Sequence, residues 1–152
     1  MLIGKTTDAN LNQLILNYQN RLKHYLSFEV VVIPDIKNAK SLTFDQQKEK
    51  EGELLLQKFE MTDEIILLDE RGKQYTSVQF SNLMGDKMLY SSKNVTFVIG
   101  GPYGFSEKVY QRAQGLISLS SMTFSHQMIR LLFVEQLYRA MTIIKNEPYH
   151  HE

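Results

Sequence analysis

The sequence predicts an α/β domain built on a mostly parallel sheet with helices on both faces. Three observations carry that expectation. Apolar runs rich in β-branched residues recur without polar alternation, the mark of strands buried on both sides. Segments with apolar residues spaced by three and four separate them, which are amphipathic helices. Two of the later strands run into turns of small residues, Gly100 to Gly104 and Ser120 to Ser125. Such turns at the carboxyl ends of strands are where an open α/β sheet holds a small ligand.

In order, Leu2 and Ile3 are the stub of a first strand. Leu11, Leu14, Ile15, Tyr18, Leu22, Tyr25 and Leu26 form one helical stripe, with Asp8 or Asn10 as its cap. Residues 28–33 are a continuous strand closed by Pro34. The charge-laced stretch 45–59 keeps one apolar face and predicts a second helix. Residues 64–68 make a third strand, ending in a turn over 69–73, and Val78, Phe80, Leu83, Met84 and Met88 mark a third helix. A strand over 95–99, a short helix over 106–113, a strand over 116–119 and a long helix over 126–145 complete the chain. No linker, repeat or low-complexity tract interrupts it, so residues 1–152 are read as one domain. Apolar groups surround most of the last helix, from Leu131 to Ile144, which demands cover on two sides and predicts a homodimer.

Composition narrows the function. The 152 residues carry 17 basic and 17 acidic side chains, without the basic excess expected of a protein that grips naked nucleic acid by charge. Cysteine is absent, which removes disulfide frameworks, thiol catalysis and cysteine-ligated zinc. No apolar run is long enough to span a bilayer, and Asp8, Asn10 and Asn12 do not suit a signal peptide. The expectation is a soluble, unprocessed, cytoplasmic protein with no membrane partner and no metal.

Gly100-Gly101-Pro102-Tyr103-Gly104 lets backbone approach a ligand, or is a tight strand-to-helix turn. Its glycine spacing is not the dinucleotide fingerprint, and no Gly-Lys-Ser/Thr follows to make a phosphate loop. The segment Ser120-Ser121-Met122-Thr123-Phe124-Ser125 suits a polar, uncharged ring flanked by apolar contacts, or is a capping segment with Ser125 as N-cap. His126 starts the last helix as a base, a ligand contact or a structural hydrogen bonder. Arg130, one turn on, offers a planar fork to a phosphate or carboxylate, or pairs with a carboxylate such as Glu135. His150 and His151 follow Pro148 without the upstream partners that zinc spacing requires, and no Gly-x-Ser-x-Gly elbow supports a serine triad.

Together these segments resemble one family. The runs Phe97-Val98-Ile99-Gly100-Gly101-Pro102-Tyr103-Gly104, Leu119-Ser120-Ser121-Met122-Thr123-Phe124-Ser125-His126-Gln127-Met128-Ile129-Arg130, Glu135-Gln136-Leu137-Tyr138-Arg139-Ala140 and Pro148-Tyr149-His150 are similar to the ribosomal RNA large subunit methyltransferase H family. Its members belong to the SPOUT class of S-adenosylmethionine enzymes. Gln47-Lys48-Glu49-Lys50-Glu51-Gly52-Glu53 and Leu67-Leu68-Asp69-Glu70-Arg71-Gly72-Lys73 fit as well, so the resemblance covers essentially the whole chain.

The resemblance implies a sheet whose C-terminal part is threaded into a trefoil knot, and a homodimer. It implies methyl transfer from S-adenosylmethionine to N3 of a pseudouridine in a large-subunit rRNA stem-loop of the assembled ribosome. Carried over by position, the cofactor would contact Leu68, Gly101 and the loop Ser120, Ser121, Met122, Thr123, Phe124 and Ser125. Tyr149 and His150 would meet the target base, with electrostatic help from Arg130. Family members usually begin with a longer first strand than Met1 to Lys5 supplies, so the expectation is a shortened strand or an internal start. Two rival readings remain: a non-catalytic dimeric ribosome-binding module, and a knotted tRNA methyltransferase, against which the missing basic excess counts.

Overall fold

The computed structural model describes residues 1–91 and 93–150. Five parallel strands form one sheet: β1 (Leu2–Ile3), β2 (Val32–Ile33), β3 (Glu64–Gln74), β4 (Val95–Ile99) and β5 (Gly115–Ser118), in the order β2-β1-β4-β3-β5. The helices are α1 (Ala9–Leu22), α2 (Phe44–Leu56), α3 (Ser77–Tyr90), α4 (Glu107–Arg112) and α5 (His126–Ile144). This is the α/β architecture that the apolar strands predict.

Period-two alternation sorts the strand side chains between two cores. Ile66, Leu68, Ile99 and Ile117 face Ile15, Leu22, Phe80, Met84, Phe133, Leu137 and Met141 of α1, α3 and α5. Ile65, Leu67 and Val98 face the other way, against Leu55 of α2 and Val109 of α4. Three helices therefore cover one face and two the other. Local chemistry fixes where the helices start. Asp8 caps α1 through the N–H of Leu11, Thr43 and Thr76 form capping boxes with Gln46 and Gln79, and Ser125 caps α5 through the N–H of Met128.

Three expectations change. The second strand shrinks to Val32–Ile33, because only these residues pair with Leu2 and Ile3 of the short β1. The turn expected over 69–73 is instead a bulge inside a longer β3. Leu68 and Lys73 both pair with Ile117, so the intervening residues arch away and the strand rejoins its neighbour. Gly72 makes that return feasible: a Cβ there would lie 2.5 Å from Ile117 backbone atoms. Finally, α5 finds its two covers within one chain, since α1 and α3 both pack on it. Its all-round apolarity therefore does not call for a second copy.

Candidate functional site

The carboxyl ends of β3, β4 and β5 open into a cavity of about 860 Å³. One wall is the glycine loop Gly100 to Gly104, closed on itself by a bridge between Gly101 and Gly104. The opposite wall is Leu119 and Ser120 with Met122 to Ser125, ending at His126 and Ile129 of α5. The floor is Leu68, Ile99 and Ile117, and the β3 bulge contributes Asp69, Glu70 and Arg71. Strand ends thus bring together two loops separated by some twenty residues of sequence, as the doubly wound plan requires.

Of the sequence-predicted cofactor contacts, Leu68, Gly101, Ser120, Met122, Thr123, Phe124 and Ser125 all line this cavity. Ser121 does not; it sits on the exposed outer side of the same loop. Ser120 is tied at both ends, its Oγ accepting from the N–H of Met122 at 2.9 Å and its carbonyl accepting from Ser118 Oγ at 2.8 Å. Among the described residues, the backbone N–H groups of Thr123 and Phe124 meet no protein acceptor. They are available to a ligand that accepts hydrogen bonds.

Gly101 has a second reason to lack a side chain. A Cβ there would lie 2.4 Å from Oε2 of Glu51, a carboxyl only 4% exposed beneath the loop. Oε1 of Glu51 accepts from Gln47 at 2.7 Å, and Oε2 has no partner. Burial pushes this carboxyl above the ordinary range, with Asp35 adding to the effect against the Gln47 hydrogen bond.

The bulge builds a network invisible in the sequence. Tyr110 Oη donates to Asp69 Oδ2 at 2.5 Å, while the Arg71 N–H and Nε donate to Oδ1 at 2.9 and 3.2 Å. The Arg71 guanidinium lies 4.3 Å from the centre of the Tyr110 ring. Burial alone would raise the Asp69 carboxyl; the Tyr110 and Arg71 hydrogen bonds outweigh it and hold the group below its usual value. Burial and the same carboxylate push Tyr110 up to about 12. Asp69 is therefore a fixed anion on the cavity wall.

His126 lines the cavity and, among the described residues, its ring has no hydrogen-bond partner, so the structural hydrogen bond open to it from sequence is not made. Burial, then the charge of Arg130, lowers its pKa below 6.5, against a smaller opposing pull from Asp35. It is a neutral imidazole at neutral pH.

Arg130 corrects the sequence expectation. It is 1% exposed and outside the cavity lining, too deep to touch a ligand there. Nη2 donates to the Ile3 carbonyl at 2.5 Å and Nη1 to Thr6 Oγ1 at 3.1 Å, pinning the start of α5 to the end of β1. Nor does it pair with Glu135, whose carboxylate holds Arg139 at 2.7 Å. Arg130→Met keeps the bulk but orphans the Ile3 carbonyl, for an expected loss of about 2–3 kcal/mol. In a domain of this size that lowers Tm by roughly 5–10 °C in a thermal melt.

Tyr149 and His150 also lie away from this cavity. Tyr149 Oη is 3.2 Å from both Glu135 Oε1 and Tyr18 Oη, and its ring packs 4.9 Å from Tyr138. His150 Nδ1 is 3.4 Å from Arg139 Nη1. The tail is thus ordered against α1 and α5, and His151 lies outside the described residues. No group of three or more metal-ligating side chains occurs among the described residues, and none of their helices is long and apolar enough to cross a membrane.

A cavity between two small-residue loops at parallel strand ends is the ligand-site arrangement of open α/β sheets. Over residues 1–150 the chain matches the family described as "Predicted SPOUT methyltransferase". It is 59% identical over 152 residues to the ribosomal RNA large subunit methyltransferase H of Parabacteroides distasonis, covering 100% of this chain and 97% of that one. The protein of the same name from Flavobacterium johnsoniae is 59% identical over 150 residues (99% and 96% covered), and that from Phocaeicola vulgatus 55% identical over 152 (100% and 97%). The chain belongs to the SPOUT methyltransferases and, within them, to the ribosomal RNA large subunit methyltransferase H family.

Proposed function

We propose that this protein is an S-adenosylmethionine-dependent methyltransferase that modifies N3 of a pseudouridine in large-subunit rRNA, acting in the cytoplasm on the assembled ribosome. The observation that supports it best is the cavity between the Gly100 to Gly104 and Ser120 to Ser125 loops, in a chain of this family. The residues fit the cofactor. The unpaired N–H groups of Thr123 and Phe124 suit an adenine's acceptor nitrogens, and Leu68, Ile99, Leu119 and Ile129 supply apolar contact. When bound, S-adenosylmethionine supplies an electrophilic methyl group that needs alignment with the nucleophile more than activation.

The protein must then handle a proton, because the imide N3–H is a poor nucleophile until it is lost. His126 is the acceptor: neutral, unpartnered and on the cavity wall. Arg130 acts at a distance, holding the first turn of α5, and so His126, in place. Tyr149 and His150 contact the target base from a second copy of the chain, since neither reaches the cavity of its own chain. This is the reason to retain a homodimer, and the C-terminal knot belongs to the same reading.

Replacing His126 by Asn should lower methyl transfer about 100-fold. In the parent, a base with a lowered pKa keeps the rate level down to below pH 6.5, then loses it as the pH falls through that pKa. The Asn variant should lose this acid limb, and a variant that keeps it would exclude His126 as the base. The test of the function is transfer of labelled methyl groups to ribosomes and to free rRNA from cells lacking this modification, with the product nucleotide mapped. Label at N3 of one pseudouridine, on ribosomes and not on free rRNA, is the expected result. Ribosome binding without transfer would instead favour the non-catalytic module.

A further inference from the structure

One aromatic ring of the cavity wall, Tyr103, carries a second ring, Phe44, which stands outside the cavity lining. Phe44 and Tyr103 stack with centroids 4.1 Å apart and planes 24° from parallel. Phe44 is 64% exposed and Tyr103 41%, so the pair does not serve the core. Both stand on defined backbone. Phe44 is the first residue of α2, inside the capping box formed by Thr43 and Gln46, and Tyr103 lies inside the loop closed by the Gly101 to Gly104 bridge. Cations flank them on the same rim: Lys48, one turn further along α2, and Arg71 from the β3 bulge, both lining the cavity. Lys48, half-buried, lies 2.8 Å from the exposed Asp45, and Arg71 remains 63% exposed beside Asp69.

An exposed aromatic face with cations around it is the chemistry that binds an unpaired nucleotide: the base stacks and its phosphate meets the cation. The i,i+3 ion pair of Lys48 with the solvated Asp45 is worth little and can give way to a phosphate. A protein of zero net charge must find RNA affinity in local features of this kind. We propose that the Phe44 and Tyr103 pair, with Lys48 and Arg71, is a stacking platform for an unpaired base next to the methylated nucleotide in the rRNA substrate. The inference rests on the rRNA methyltransferase reading above and adds to it the surface that seats the flanking strand.

The test compares the parent with Phe44→Leu and with Phe44→Tyr, using unmodified ribosomes as methyl acceptor. Activity of the parent on those ribosomes establishes the underlying reading independently. Phe44 lies outside the cavity lining, so Phe44→Leu should raise KM for ribosomes about tenfold, with kcat within about twofold and S-adenosylmethionine affinity unaltered. Phe44→Tyr keeps the ring and should retain the parental KM. An unchanged ribosome KM in Phe44→Leu would overturn the proposal. So would a loss confined to S-adenosylmethionine affinity, which would make the rings a cofactor cover. A shift from dimer to monomer would overturn it too, making them a contact between copies.

Discussion

Gly101→Val is expected to abolish S-adenosylmethionine binding, lowering affinity by at least about 100-fold, or about 2.7 kcal/mol. Two walls close on this residue. On one side is the cavity it lines; on the other, the Glu51 carboxyl, 2.4 Å from where a Cβ would stand. Glu51 is buried and held by Gln47, so it cannot swing out without breaking that hydrogen bond and exposing the packing beneath the loop. The branched side chain is therefore driven toward the ligand, or it displaces the whole loop. Equilibrium dialysis against labelled cofactor reads the effect, and circular dichroism establishes that the variant is folded. Full affinity in a folded Gly101→Val protein would remove the glycine loop from the binding site.

Truncation after Glu147 is expected to remove methyl transfer, by about 100-fold or more, while leaving cofactor affinity intact. The deleted residues include Tyr149 and His150, which lie outside the cavity of their own chain. The cost to folding should be small, because the lost contacts are half-buried: the Tyr149 bonds to Glu135 and Tyr18 and the ring contacts with Tyr138 and Arg139. A chain that still binds S-adenosylmethionine but no longer methylates ribosomes would assign the tail to the RNA target. Retained activity would free Tyr149 and His150 from any role. Mixing truncated chains with chains carrying Gly101→Val adds a second arm. If the tail acts across a dimer, the mixture should regain part of the activity that neither variant has alone.

The helices and most strands were legible because local rules suffice for them. Apolar spacing and the caps Asp8 and Ser125 fix α1 and α5, and β-branched runs fix β4 and β5. The two loops of the cavity were legible for the same reason, as small-residue turns at strand ends. The β3 bulge was not. Residues 69–73 read as a turn, and only pairing of Lys73 and Gln74 with Ile117 and Ser118, over forty positions away, makes this stretch part of a strand. Asp69, Arg71 and Tyr110 escaped notice because their hydrogen bonds exist only once that bulge folds over α4. Arg130 was misread because a charged residue beside a ligand loop looks available, whereas its partners at Ile3 and Thr6 lie at the other end of the chain. Glu51 has a faint signal, a carboxylate directly before Gly52 on a helix whose apolar face must pack; α2 sits close on α4, where a Cβ at Gly52 would lie 2.2 Å from Ser106 Oγ.

If the cavity between these two loops holds S-adenosylmethionine, calorimetric titration of the purified parent protein with that cofactor should show saturable binding, with S-adenosylhomocysteine competing for the same site. A folded protein that takes up neither compound would contradict that reading and leave a ribosome-binding module without methyl-transfer chemistry.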